Sequence, residues 1–254
     1  MRRAPWLLPA LASLLAVCGT ATASPSPSDG EDRVPKLLSG REVLAEHHWR
    51  GPAPTAPKVP TLGFVREQGG LWRLDVPADA GGELRTVRGR EDAPRPADRV
   101  ATVRVEVEAG LGVDGQEFAR QVMATLNDPR GWGHDGSVAF ARTDGEADID
   151  VTLASPATTD ALCAPVPTRG RVSCGRVGFA VLNAERWAHG AEPFLAAGGT
   201  VAEYRHYLVN HEVGHVLGHP HVACPAPGTL APVMVQQTLD VGGCRPNGWP
   251  APEA

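Results

Sequence analysis

The residues best suited to chemistry lie in one stretch, Tyr204 to His221. Its core, His211-Glu212-Val213-Gly214-His215-Val216-Leu217-Gly218-His219-Pro220-His221, reads H-E-x-x-H-x-x-G-x-x-H with no position missing. On a helix, His211 and His215 share a face, so both imidazoles can reach one ion. Glu212 lies beside His211, placed to hold a reacting water without ligating the ion. Gly218 can take the left-handed conformation that ends a helix and turns the chain. That turn brings His221 back as a third ligand. Three protein ligands with an open fourth position is the coordination of a catalytic zinc rather than a structural one, so Zn2+ is the expected cofactor. His219, one residue past Gly218, points less easily to the ion; a supporting or substrate-side role is expected for it.

A helix must carry the first two histidines. Thr200-Val201-Ala202-Glu203 has the form of a capping box, which predicts Thr200 as N-cap and a helix running to about Leu217. Leu208, Val216 and the two tyrosines supply its apolar contacts. Upstream, Thr102 to Glu108 alternates apolar with polar residues and is the clearest strand in the chain. Asp114, with Glu117 three residues on, predicts a capped helix whose buried stripe is Phe118, Val122 and Leu126, ended by Asp128-Pro129. Further strands are expected at Leu62–Val65, Leu71–Val76, Leu84–Val87, Val138–Arg142, Ile149–Leu153, Arg171–Cys174 and Gly178–Asn183. Arg130 to Gly133 reads as a loop with Trp132 packed into the core. Ser155 to Gly170 reads as a long loop, and Ala184 to Gly199 as a connector with one helical turn near Trp187. Beyond His221, six prolines exclude another long helix. Asp144, Glu146, Asp148 and Asp150 form an acidic run; its spacing does not match a calcium loop, and a solvated turn is expected.

The chain has 254 residues and a formal net charge of −5. Arg2 and Arg3, the apolar run Trp6 to Val17 and Ala21-Thr22-Ala23 have the form of a secretory signal, cleaved before Ser24. The run is too short for a stable membrane span. Lipid anchoring at Cys18 is the alternative. Loss of residues 1–23 removes two arginines and no acids, leaving a net charge of −7. Without a basic patch, nucleic acid is not an expected partner. Residues 24–60 are proline-rich and read as a linker, in which His47-His48 belongs to a solvated turn. Residues 61–254 form the folded domain. Four cysteines follow the signal, an even number in an exported chain, and imply two disulfides. Of three possible pairings, the local one, Cys163–Cys174 with Cys224–Cys244, is favoured.

The segment His211 to His221 resembles the zinc-binding signature of metzincin metallopeptidases. Pro232-Val233-Met234 resembles their Met-turn, in which a methionine lies beneath the zinc-bound histidines. Asn210 to Gly218, with Leu162-Cys163 and Val233-Met234-Val235-Gln236-Gln237, resembles a group of exported bacterial proteins of unassigned function that carry this signature. The resemblance covers roughly residues 100–250. It implies an α+β, metzincin-like fold: a twisted mixed β-sheet, a long active-site helix and an irregular C-terminal subdomain. It also implies that His211, His215 and His221 bind zinc, that Glu212 is the general base, and that Met234 supports the site. Arg171 to Cys174 would then be the edge strand that aligns an extended peptide. Two family features have no counterpart: a zinc-ligating tyrosine after Met234, and a cysteine in residues 24–60 that could block the site.

The implied function is that of an exported, monomeric zinc peptidase acting on peptide or protein substrates. Two alternatives use the same residues: a non-catalytic zinc-binding domain associated with the cell envelope, and a zinc amidase acting on a cell-wall or small substrate.

Overall fold

A computed structural model describes residues 60–253. The signal, linker, Cys18 and His47-His48 readings fall outside the described residues. One six-stranded mixed sheet organises the described chain. Its strands are β1 (Leu84–Thr86), β2 (Arg99–Glu108), β3 (Val138–Thr143), β4 (Ile149–Ala154), β5 (Cys174–Arg176) and β6 (Phe179–Asn183). The order is β1-β2-β4-β6-β5, and β3 pairs with the first half of β2. β2, β3, β4 and β6 run parallel; β1 and β5 are antiparallel to their neighbours. The helices are α1 (Leu62–Glu67), α2 (Gly115–Leu126), α3 (Pro156–Cys163), α4 (Ala184–His189), α5 (Glu192–Ala196) and α6 (Val201–Val216). The result is a mixed α and β architecture with an open sheet.

Alternation along the strands assigns the two sheet faces. Val103 and Val105 of β2, Val151 and Leu153 of β4, and Ala180 and Leu182 of β6 point into the main core, which α2, α4 and α6 cover. Ala154 and Val181 point the other way, against Cys163 of α3. β4 is thus covered on both faces, which explains its nearly continuous burial. Phe118, Val122 and Leu126 of α2 are fully buried, as their spacing predicts. Burying each contributes about 1.5–3 kcal/mol. Trp187 of α4 meets Phe118 edge-on at 5.1 Å, and Phe194 of α5 meets Tyr204 of α6 at 5.2 Å. Arg205 of α6 donates to the backbone carbonyls of Glu67 and Trp187 at 2.7 and 2.8 Å, fastening α1 and α4 to the long helix. No helix among the described residues is long and apolar enough to cross a membrane.

Several local expectations are corrected. Leu62–Val65 belongs to helix α1, because the Thr61 hydroxyl accepts from the Phe64 amide and caps a helical turn. Leu71–Val76 forms no strand; Leu71 makes one isolated bridge to Val113, while Leu74 and Val76 pack sideways onto the core. Ser155 to Gly170 contains helix α3, with Ser155 as N-cap and Pro156 in its first turn. The edge strand lies at Cys174–Arg176 rather than Arg171–Cys174. Residues 184–199 form two short helices rather than one turn. Asp114 caps α2 as expected, but the reciprocal half of a capping box is missing. Its own amide donates to Gly70, and Glu117 turns instead to Arg120 and Gln121.

Candidate metal centre

α6 begins where its sequence requires. The Thr200 hydroxyl accepts from the Glu203 amide, and the Glu203 carboxylate accepts from the Thr200 amide, so both halves of this capping box form. The helix runs to Val216. Gly218 follows at φ +96°, a left-handed conformation that suits glycine. The Gly218 amide donates to His215 and the His219 amide to Gly214, closing the helix end. The turn returns His221 to the helix face. His221 Nε2 lies 3.2 Å from Nε2 of His211 and 2.9 Å from Nε2 of His215.

The backbone sets the tautomers. His211 Nδ1 lies 2.9 Å from the Val233 carbonyl, and His215 Nδ1 lies 2.9 Å from the His219 carbonyl. A carbonyl only accepts, so each Nδ1 carries the proton, and Nε2 of each neutral ring presents a lone pair. His221 Nε2 can donate to at most one of the two. At least one close Nε2 pair therefore has no proton between its atoms, a repulsion that a cation at the centre would relieve. The donor set, three imidazoles of which two are oriented by backbone carbonyls, could hold a metal ion. Among the described residues this is the one group of three or more histidine, cysteine or acidic side chains whose ligand atoms converge.

Burial keeps these rings neutral. It pulls His211 down to about 3, and lowers His215 and His221 from the ordinary histidine value. Glu212 is also buried, and burial pushes its carboxyl up to about 8. It lines the same cavity as the three histidines, about 400 Å³ in volume. Tyr207, Val172 and Leu239 give that cavity apolar walls. β5 forms one side, and Gly175 lets it lie directly on the backbone of Glu212. A Cβ there would stand 2.7 Å from the Glu212 carbonyl carbon.

Met234 is buried beneath the helix, with its sulfur against Gly214, where a Cβ would meet it at 2.5 Å. Its carbonyl accepts from the Val222 amide, just past His221. The Val233–Met234 segment thus holds the chain next to the third histidine while orienting the first. Both favoured disulfides form, Cys163–Cys174 at the start of β5 and Cys224–Cys244 around Met234. His219 is not with the other three histidines. Its ring stacks on Trp132 at 4.1 Å, and only its carbonyl reaches the site. Trp132 does pack against the core, as its sequence context suggested, but one face of its indole takes this ring.

Sequence reasoning expected a supporting role for His219 but not that its carbonyl, like that of Val233, would accept from a histidine of the site, and it missed Gly175 and Tyr207 as parts of the cavity. The acidic run does not converge. Asp144 pairs with Arg90, Asp148 with Thr102, and Asp150 with Arg104.

Comparison with known protein families matches residues 74–252 to a family described as "Protein of unknown function (DUF3152)". Comparisons with curated proteins and with solved structures find no match. The family match spans all six strands, α6, the three histidines and the Met234 segment, and the chain belongs to this DUF3152 family.

Proposed function

We propose that the chain is a zinc-dependent, metzincin-like peptidase with Glu212 as its general base. The observation that carries this reading is the convergence of three Nε2 atoms beside a buried glutamate on one cavity. His211, His215 and His221 would hold the ion. When bound, zinc supplies Lewis-acid polarisation of a carbonyl and acidification of water. Glu212 takes a proton from the attacking water and delivers it to the leaving amine. Burial pushes its carboxyl up to about 8 without an ion, and a cation held by the three histidines would lower it toward the range a general base needs near neutral pH. Among the described residues the outer side of β5 has no strand partner in the sheet, so its backbone is free to pair with an extended substrate. The apolar walls from Val172, Tyr207 and Leu239 suit an uncharged side chain beside the scissile bond. Two disulfides fit work in an oxidising compartment, in line with export.

The test combines metal analysis with cleavage of a diverse peptide library. The expected result is one zinc per chain and cleavage that Glu212→Gln lowers by roughly 10²–10⁴-fold while zinc is retained. Stoichiometric zinc with no cleavage of any library member would overturn the peptidase reading.

A further inference from the structure

We propose that Trp132 is a positioning residue for the metal centre, acting through His219. The proposal rests on the reading of His211, His215 and His221 as zinc ligands. Trp132 lies far from them in sequence, in the loop between α2 and β3, yet it touches the motif helix at two levels. Its indole Nε1–H donates to the carbonyl of Asn210, the residue before His211, at 2.9 Å. Its ring edge lies against Gly214, where a Cβ would meet Cζ2 at 2.7 Å. Only a glycine at that position admits the indole.

From there the ring extends past the helix end and stacks on His219, with ring centres 4.1 Å apart and planes within 15°. Residue 219 is the hinge of the site. Its amide donates to Gly214, and its carbonyl accepts from His215 Nδ1 at 2.9 Å. Two residues later the same turn delivers His221. The His219 ring is otherwise exposed, and its side chain makes no hydrogen bond among the described residues. The stack is therefore the side-chain anchor of residue 219. A carbonyl that orients a ligating histidine belongs to the shell of contacts whose loss weakens metal binding. Trp132 fixes where that carbonyl sits.

The experiment uses the full chain and zinc alone, with affinity read by competition against a chromophoric chelator. Trp132→Ala, His219→Ala, the double variant and Trp132→Phe are compared, and each is also loaded with cobalt(II) for its visible absorption spectrum. Trp132→Ala and His219→Ala are each expected to weaken zinc binding by roughly 10–100-fold. The double variant should bind no more weakly than Trp132→Ala alone, because the stack that His219→Ala removes is already gone. Trp132→Phe should recover part of the loss, and the cobalt bands should change in the alanine variants. His219→Ala alters an exposed ring, so its result stands even where Trp132→Ala loses stability. Wild-type affinity and spectrum in His219→Ala would overturn the proposal, as would losses that multiply in the double variant. A wild-type chain that takes up no zinc would remove the underlying reading and the proposal with it.

Discussion

Replacing Gly175 with alanine tests how tightly the cavity is built. β5 lies on α6 with no side chain between them at this point. A Cβ on residue 175 would sit 2.7 Å from the Glu212 carbonyl carbon and 3.0 Å from its Cα, and nearer still to the carbonyl oxygen. Ordinary contact begins near 3.4 Å, so the carbonyl carbon alone forces β5 back by about 0.7 Å. Overpacking of this kind costs about 1–3 kcal/mol. For a domain of this size that corresponds to a fall in Tm of roughly 2–12 °C. The retreat also moves the strand proposed to align substrate relative to Glu212, and a misplacement near 1 Å can cost ~10²-fold in rate. Zinc binding should survive, since none of the three histidines lies on β5. The assay pairs thermal unfolding with peptide cleavage and zinc titration. Gly145→Ala is the control: like Gly175 it lies outside the left-handed region, but its Cβ would meet nothing nearer than the Thr143 hydroxyl at 3.7 Å. Wild-type stability and turnover in Gly175→Ala, or equal effects in the two variants, would refute the close-approach argument.

Further outcomes follow from the same geometry. Replacing Cys224 and Cys244 together with serine opens a loop with a sequence separation of 20 and should cost about 3 kcal/mol in urea unfolding. Zinc affinity should fall as well, because the loop carries the Val233 carbonyl; a variant unchanged in both measurements would count against that bracing role. In the metal-free protein, stability should peak near pH 6.5. Below that, the unfolded chain takes up protons on His211, which the folded chain accepts only at about 3, and His215 and His221 act in the same direction. Above it, the unfolded chain has already lost the Glu212 proton that the folded chain keeps to about 8, so stability declines as pH rises through that value. Denaturant midpoints that climb steadily to pH 8.5 would contradict this balance.

What could be read from the chain was what depends on neighbours in sequence. Thr200 and Glu203 specify the start of α6 because both partners lie within one turn, and Gly218 specifies its end for the same reason. The alternation of β2 and the stripe of α2 survive folding because one face of each is buried. The short apolar run Leu62–Val65 has no such period, and only the Thr61 cap decides it. α3 was hidden by its threonines, although Ser155-Pro156 carried a legible start signal. The edge strand was misplaced by three residues because Gly175 is required by the backbone of Glu212, a contact that no local pattern encodes. At the site, the imidazoles were visible and their orienting partners were not. Val233 and His219 contribute carbonyls, which every residue possesses, and Trp132 contributes a stacking partner from a distant loop.

The dependence of His211 on Val233 has a consequence for the order in which the protein becomes competent. The complete histidine motif emerges from synthesis at His221, but the carbonyl that sets the first imidazole follows later. The anchor for residue 222 and the cysteine that closes the bracing loop also lie downstream, at Met234 and Cys244. A nascent chain therefore carries the three histidines before it carries the contacts that orient them. A chain cut before Val233 would keep all three imidazoles and lose the carbonyl that orients the first of them.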